Sequence, residues 1–347
     1  MYYVGVDLHK EMSWFYVMDS SGCRLSSISI SNKPEHLKQY LQTIPKPFTV
    51  AVEATYNWYF FVDIAEQFAE KVYLADSYEL KAFAKRHKKT DKIDARLIAD
   101  VLRKGFLPKV FIPNKEIRTM KELLRYRINL VQDRSRYIFR LKNTLDRLGA
   151  DSSGDFTTAK RLHCIPINSL SSEYQTIISG YIDRIIELNK QIHSMKTCLR
   201  DCYENDNDIR NLITLDGLDY FSAALVKSEI GDINRFSSFN RLCAYAGLAP
   251  KVSQSGNNSA RHGALLSNRR KYLQWILLEV SFQYIRACPE RKARYEYLKT
   301  RKCANVAKVI FARQMLKIIY HILKEQRPYY EDIRSIQSVA APALCGV

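Results

Sequence analysis

The sequence predicts an α/β domain followed by an α-helical remainder, and three observations carry that prediction. Over roughly the first hundred residues, short β-rich runs alternate with helical patterns. From Lys115 to about Leu148, Gly and Pro are absent until Gly149 and apolar residues recur at helical spacing. Beyond Asn211, Gly231, Gly247, Pro250, Gly256 and Gly263 punctuate a third, mainly helical texture. The expected division is 1–112, 113–208, 209–330 and a tail, 331–347.

Tyr2 to Asp7, Ser13 to Asp19 and Arg24 to Ser29 are β-rich runs separated by Gly and polar turns, the pattern of a meander. Helical spacing follows Pro34 up to Leu41. Phe48 to Val52 and Lys71 to Leu74 are compact strands. On the first long helix, Leu124, Ile128, Val131, Ile138, Leu141, Leu145 and Leu148 form a coiled-coil seam. A second seam carries Ile178, Ile182, Ile185, Ile192, Met195 and Leu199. Folding back as a hairpin, or pairing between subunits, would bury both. Leu215 to Leu218 is expected to open a short helix, and the last helix to run from about Asn305 to Lys324.

At 347 residues the chain exceeds a single core. Its 54 Lys and Arg against 36 Asp and Glu give a net charge of +18, which points to a polyanionic partner. No run approaches the roughly 20 apolar residues that cross a bilayer, and the N-terminus lacks a signal-peptide pattern, so a cytoplasmic nucleic-acid protein is expected. The eight cysteines lack paired spacings and read as reduced thiols.

Asp7 and Glu53 each end a strand, where acidic residues are usually solvated but where a sheet can also present a carboxylate. In Lys89-Thr-Asp-Lys-Ile-Asp-Ala95, Asp91 and Asp94 stand three apart at a helix start, on one face. Either they stabilise the helix N-terminus through its dipole, or a divalent cation shared with other carboxylates relieves their repulsion. Carboxylate oxygens are the hard ligands Mg²⁺ prefers, and two ions can hold both the attacking and the departing oxygen of a phosphodiester. The upstream basic run, including Lys85, Arg86, Lys88 and Lys89, is a solvated face or a phosphate grip. Arg125, Arg134 and Arg140 on the first long helix, and Arg261, Arg269 and Arg270 farther on, have the same two readings.

Ser255 lies beside Gly256 in a polar, basic loop. It is a turn residue, or a nucleophile that would hold a DNA end as a phosphoserine ester; Ser253 and Ser259 are its neighbouring alternatives.

Together these residues resemble the DEDD-type insertion-sequence transposases, the family that contains the bridge-RNA-guided recombinases and is related to pilin-gene invertases. Gly5-Val-Asp-Leu-His-Lys10, Val52-Glu-Ala-Thr55 and Lys89-Thr-Asp-Lys-Ile-Asp-Ala95 match its acidic motifs. Leu215 to Asp219, Glu229 to Ile233 and Phe236 match its helix-hairpin-helix-like element, and Tyr245 to Pro250 with Gln254-Ser-Gly256 its serine loop. Asn257 and Asn258 stand where the family loop has further glycines.

The resemblance implies an N-terminal RuvC-like (RNase H-like) domain with Asp7, Glu53, Asp91 and Asp94 as catalytic metal ligands for Mg²⁺, two ions to a site, with Mn²⁺ as a substitute. It further implies Ser255 as nucleophile, donor and target DNA as substrates, and a non-coding bridge RNA as guide. The assembly it implies is a homo-oligomer, a dimer or a synaptic tetramer, joined by the long helices, in which one protomer's serine completes another's carboxylate site. The other readings are a RuvC-like nuclease that activates water, a site-specific DNA invertase, and a non-catalytic nucleic-acid binding protein whose carboxylates only cap helices.

Overall fold

The computed structural model describes residues 1–83, 90–253, 261–265 and 270–329, with 251–253 and 261–264 described by their backbone. The chain divides into two compact units, Met1–Pro113 and the remainder from Asn114.

The first unit is built on a six-stranded sheet of order β3-β2-β1-β4-β5-β6. β1 (Tyr2–Leu8), β2 (Met12–Met18) and β3 (Arg24–Ser31) form the expected antiparallel meander. β4 (Phe48–Glu53) then runs parallel to β1, and β5 (Lys71–Ala75) parallel to β4. The two-residue β6 (Lys109–Val110) closes the edge antiparallel.

Successive side chains of a strand point to opposite faces, and here the two faces carry different chemistry. Val4, Val6 and Leu8 of β1, with Val50 and Val52 of β4, join Leu37 and Leu41 of α1 (Pro34–Thr43) and Phe61 and Val62 of α2 (Trp58–Ala65) in one core. On the other face Ala51 and Ala75 pack with Leu80 of the short α3 (Ser77–Leu80) and with Ile98, Val101 and Leu102 of α4 (Asp91–Arg103). Helices thus cover the sheet on both sides, as parallel strands require.

In the second unit α5 (Lys115–Arg147) and α7 (Ser172–Tyr203) are 33 and 32 residues long. They pair antiparallel. Leu141 and Leu145 near the end of α5 meet Ile178, Ile182 and Ile185 near the start of α7, while Leu124 and Ile128 share a core with Leu199. The expected hairpin is present, but its seam divides between two cores. The distal half closes over Phe156, Leu162 and Ile165 of the connection, which includes α6 (Ala159–His163). The proximal half sinks into the C-terminal helices.

Those helices are α8 (Asn207–Leu212), α9 (Tyr220–Ile230), α10 (Phe239–Tyr245), α11 (Lys271–Arg286), α12 (Pro289–Arg301) and α13 (Ala304–Glu325). Leu215 to Leu218 does not begin a helix. It is the turn between α8 and α9, because Gly217 takes φ +90° and a Cβ there would stand 2.9 Å from the Val280 carbonyl and the Tyr284 amide of α11. α9 begins at Tyr220, capped by Asp219 and Ser222 in a reciprocal pair of side-chain to backbone bonds. Between α10 and α11 the backbone forms an antiparallel pair, β7 (Pro250–Ser253) with β8 (Arg261–Leu265). The tail beyond residue 329 lies outside the described residues.

Candidate metal centre

Parallel pairing places the C-terminal ends of β1 and β4 side by side. Val6 is registered with Val52, so Asp7 and Glu53 follow one step later on neighbouring strands, on the face opposite the valines. That face is the one α4 covers, and small residues let α4 come close. A Cβ on Gly5 would stand 2.1 Å from the Ala95 carbonyl oxygen and 2.4 Å from the Ala99 amide nitrogen, so only glycine permits this approach. Ala95 and Ala99 lie one and two turns after the start of α4. Their seat on β1 therefore fixes where its first turn, Asp91 to Asp94, stands. Thr90 caps that turn by accepting from the Ile93 amide at 3.3 Å.

The four carboxylates that the sequence singles out are thus gathered at one end of the sheet. Asp7 is buried, Glu53 and Asp94 are half-buried, and Asp91 is exposed. Burial pushes the Asp7 carboxyl from 3.8 up to about 6; the nearby His9 opposes the rise, and the negative fields of Asp91, Asp94 and Glu53 add to it. The negative field that adds to the rise at Asp7 also favours a divalent cation beside it, for the same electrostatic reason. The donors are hard oxygens with one imidazole, a set that fits such an ion.

That imidazole belongs to His9, which the sequence reading did not select. Its Nε2 lies 3.2 Å from Asp7 Oδ2 and 3.4 Å from Asp91 Oδ1. The His9 carbonyl accepts from Asn32 Nδ2 and from Asn57 Nδ2, each at 2.8 Å, so the turn out of β1 is tied to the loops that follow β3 and β4. β1 ends at Leu8, one residue before His9, so strand alternation does not mark this histidine; Asp91, distant in sequence, gives it its place.

The basic and serine candidates are described only in part. Lys85, Arg86, Lys88 and Lys89 lie outside the described residues, as do Ser255, Ser259 and Arg269. Ser253 ends β7 and Arg261 begins β8. Arg270 directly precedes α11, exposed, with its guanidinium 5.1 Å from the centre of the Tyr245 ring. Arg140 is exposed beside Tyr137. Arg134 donates to Asn189 Oδ1 of α7 at 3.0 Å, and Arg125 lies 3.7 Å from the buried Glu229. These last two have intramolecular partners that a helical wheel does not reveal.

An α/β domain with acidic residues at the ends of two central parallel strands, continuous in sequence with a helical region, in a chain of net charge +18, has the features of a divalent-metal enzyme of nucleic acid. Comparison with known proteins makes the class particular. A DEDD transposase model matches residues 4–149, and the transposase IS116/IS110/IS902 family model matches residues 209–296. The chain belongs to the IS110 family of transposases and is a DNA transposase/recombinase. It is 24% identical over 330 residues to the transposase for insertion sequence element IS1328 of Yersinia enterocolitica, covering 91% of this chain and 95% of that one. An uncharacterized 44.8 kDa protein of insertion element IS116 from Streptomyces clavuligerus is 22% identical over 94% of this chain and 95% of its own length. The pilin gene-inverting protein of Moraxella bovis is 29% identical over 161 residues, 45% of this chain and 48% of that one. Among the described residues no helix is long and apolar enough to cross a membrane.

Proposed function

We propose that Asp7, Glu53, Asp91 and Asp94 hold a pair of Mg²⁺ ions in a RuvC-like domain, and that Ser255 is the nucleophile that cuts and rejoins DNA. The observation that carries the metal reading is Asp7: a buried carboxylate faced by three further acids, its carboxyl raised to about 6. The strand order 3-2-1-4-5, with the first three strands antiparallel and the next two parallel to β1, supports the RuvC-like assignment. The bound ions would polarise the scissile phosphate and stabilise its developing charge.

The chain's own side chains have separable tasks. Asp7 and Glu53 are fixed by the sheet, while Asp91 and Asp94 ride on α4. The Gly5 contact sets the distance between the two groups. In the strand-transfer step the Ser255 oxygen would bond to phosphorus as the bond to the departing sugar oxygen breaks. The serine proton leaves to solvent, and the departing oxygen takes one up. The resulting phosphoserine ester keeps the bond energy for religation without ATP. In sequence Ser255 falls between β7, which ends at Ser253, and β8, which begins at Arg261. Arg140 and Arg270, both exposed, are suited to phosphate contacts, whereas Arg125 and Arg134 serve first as internal partners. The family likeness supports guidance by a bridge RNA, joining of subunits through the α5–α7 hairpin, and the sharing of one protomer's serine with another's carboxylates.

Two variants separate the parts of this reading. Ser255→Ala is expected to bind Mg²⁺ as the wild type does and to form no covalent protein–DNA adduct; a surviving adduct moves the nucleophile, with Ser253 and Ser259 the next to test. Asp94→Asn is expected to bind DNA and to cleave nothing. Cleavage products bearing a free 5′-phosphate with no linked protein would instead favour the water-activating nuclease.

A further inference from the structure

Among the described residues, Asp7, His9 and Asp91 form a group whose ligand atoms all lie within 4.8 Å of one another. Two of the separations are informative: His9 Nε2 is 3.2 Å from one oxygen of Asp7 and 3.4 Å from one of Asp91. Around a six-coordinate ion with bonds of about 2.1 to 2.3 Å, adjacent ligands stand about 3.0 to 3.3 Å apart. The imidazole nitrogen stands within that spacing of Asp7, at 3.2 Å, and just beyond it from Asp91, at 3.4 Å. Packing does not account for its position, because the His9 side chain is 52% exposed. The backbone, in contrast, is firmly held: the carbonyl accepts from Asn32 and Asn57, and the amide donates to the Met12 carbonyl at 3.2 Å. A chain fixed on three sides thus carries a ring that faces two acids.

We propose that His9 is a nitrogen ligand to one of the divalent cations, sharing it with Asp7 and Asp91, and that it biases this site toward Mn²⁺ over Mg²⁺. The inference rests on reading the acidic residues as a cation site. Its chemical content is the donor set: Mg²⁺ takes oxygen ligands and keeps much of its water, whereas first-row transition ions bind imidazole well. Replacing one oxygen position with nitrogen therefore weakens Mg²⁺ relative to Mn²⁺. An ion held there would be reachable by water and by a phosphate oxygen from the side on which Asp91 and His9 reach solvent.

The test uses the full-length protein loaded with Mn²⁺ and examined by pulsed electron paramagnetic resonance, which detects a directly bonded ¹⁴N. Wild type is expected to show the nitrogen coupling. His9→Gln and His9→Asp are expected to bind Mn²⁺ without it, and the Mg²⁺ concentration that displaces half the Mn²⁺ should fall about tenfold, the lower end of the effect of altering a metal's surroundings. Bound Mn²⁺ without nitrogen coupling in the wild type, or coupling that persists in both variants, overturns the proposal and leaves the acidic site standing. Failure of wild type to bind Mn²⁺ at all, or equal binding by Asp7→Asn, overturns the acidic site itself and the proposal with it.

Discussion

Asp7 and Glu229 are buried to nearly the same degree, 6% and 5% exposed, in opposite surroundings. Asp7 faces Asp91, Asp94 and Glu53, with one half-exposed imidazole to offset them. Glu229, on α9, faces Lys121 at 4.0 Å and Arg125 at 3.7 Å, both from α5. Burial holds the Lys121 amine below its ordinary value, with Arg125, Arg270 and Arg235 adding to the effect and Glu229 opposing it. Glu229 therefore has its counter-charge within the fold, whereas Asp7 is buried among further acids. Burial alone does not mark a functional carboxylate; the sign of what surrounds it does.

The same chemical change, carboxylate to amide, should thus act in opposite ways at the two places. Asp7→Asn is expected to lower divalent-dependent DNA cleavage about 1000-fold, a loss of about 4 kcal/mol of transition-state stabilisation. In the metal-free protein it should leave melting unchanged or raise it, because a like-charge neighbour is gone. Cleavage assays and thermal melting with a chelator measure the two halves. Undiminished cleavage would remove Asp7 from the site.

Gly5→Ala tests the geometry rather than the charge. The added methyl meets backbone atoms at 2.1 and 2.4 Å, and backbone cannot swing aside as a side chain can. A cost of about 3 kcal/mol is expected, the upper part of the usual range for overpacking. Divalent binding should weaken as well, since α4 carries Asp91 and Asp94. Melting curves and Mn²⁺ titrations report these separately, and wild-type behaviour in both would mean that α4 does not depend on this contact.

Glu229→Gln, the counterpart of Asp7→Asn, takes the carboxylate from Lys121, while Arg125 keeps Glu122 at 3.6 Å. Removing one partner of a buried pair costs about 3 kcal/mol. Melting should fall while Mn²⁺ binding stays at the wild-type level, and a fall in binding would erase the contrast between the two carboxylates.

The acidic centre was legible in the sequence because regular elements place it. Strand alternation sends Asp7 and Glu53 to one face, and a helix that starts at Asp91 carries Asp94 on the same turn. His9 was not legible, since one histidine after a strand gains meaning only when Asp91, far along the chain, arrives beside it. The partner of Arg125 was not legible for a related reason: a basic position on a long helix looks solvent-facing until α9 supplies Glu229. Gly217 shows the limit for backbone. Its turn is forced by α11, which no local pattern announces.

The smallest effect expected is on the pH dependence of stability. The Asp7 carboxyl rises from 3.8 to about 6 on folding, mainly through burial. Between those values the folded chain holds a proton that the unfolded chain has released. The stability from that proton is complete below about pH 4 and is lost as pH rises through about 6. In the presence of a chelator, the melting temperature of wild type relative to Asp7→Asn should therefore decline between about pH 4 and pH 6 and level off above. Adding Mn²⁺ at pH 7 to about 100 times its Kd should restore about 2.7 kcal/mol to wild type and nothing to the variant. A difference between the two proteins that stays constant across this range would mean that Asp7 ionises as freely in the fold as outside it, which its acidic neighbours forbid.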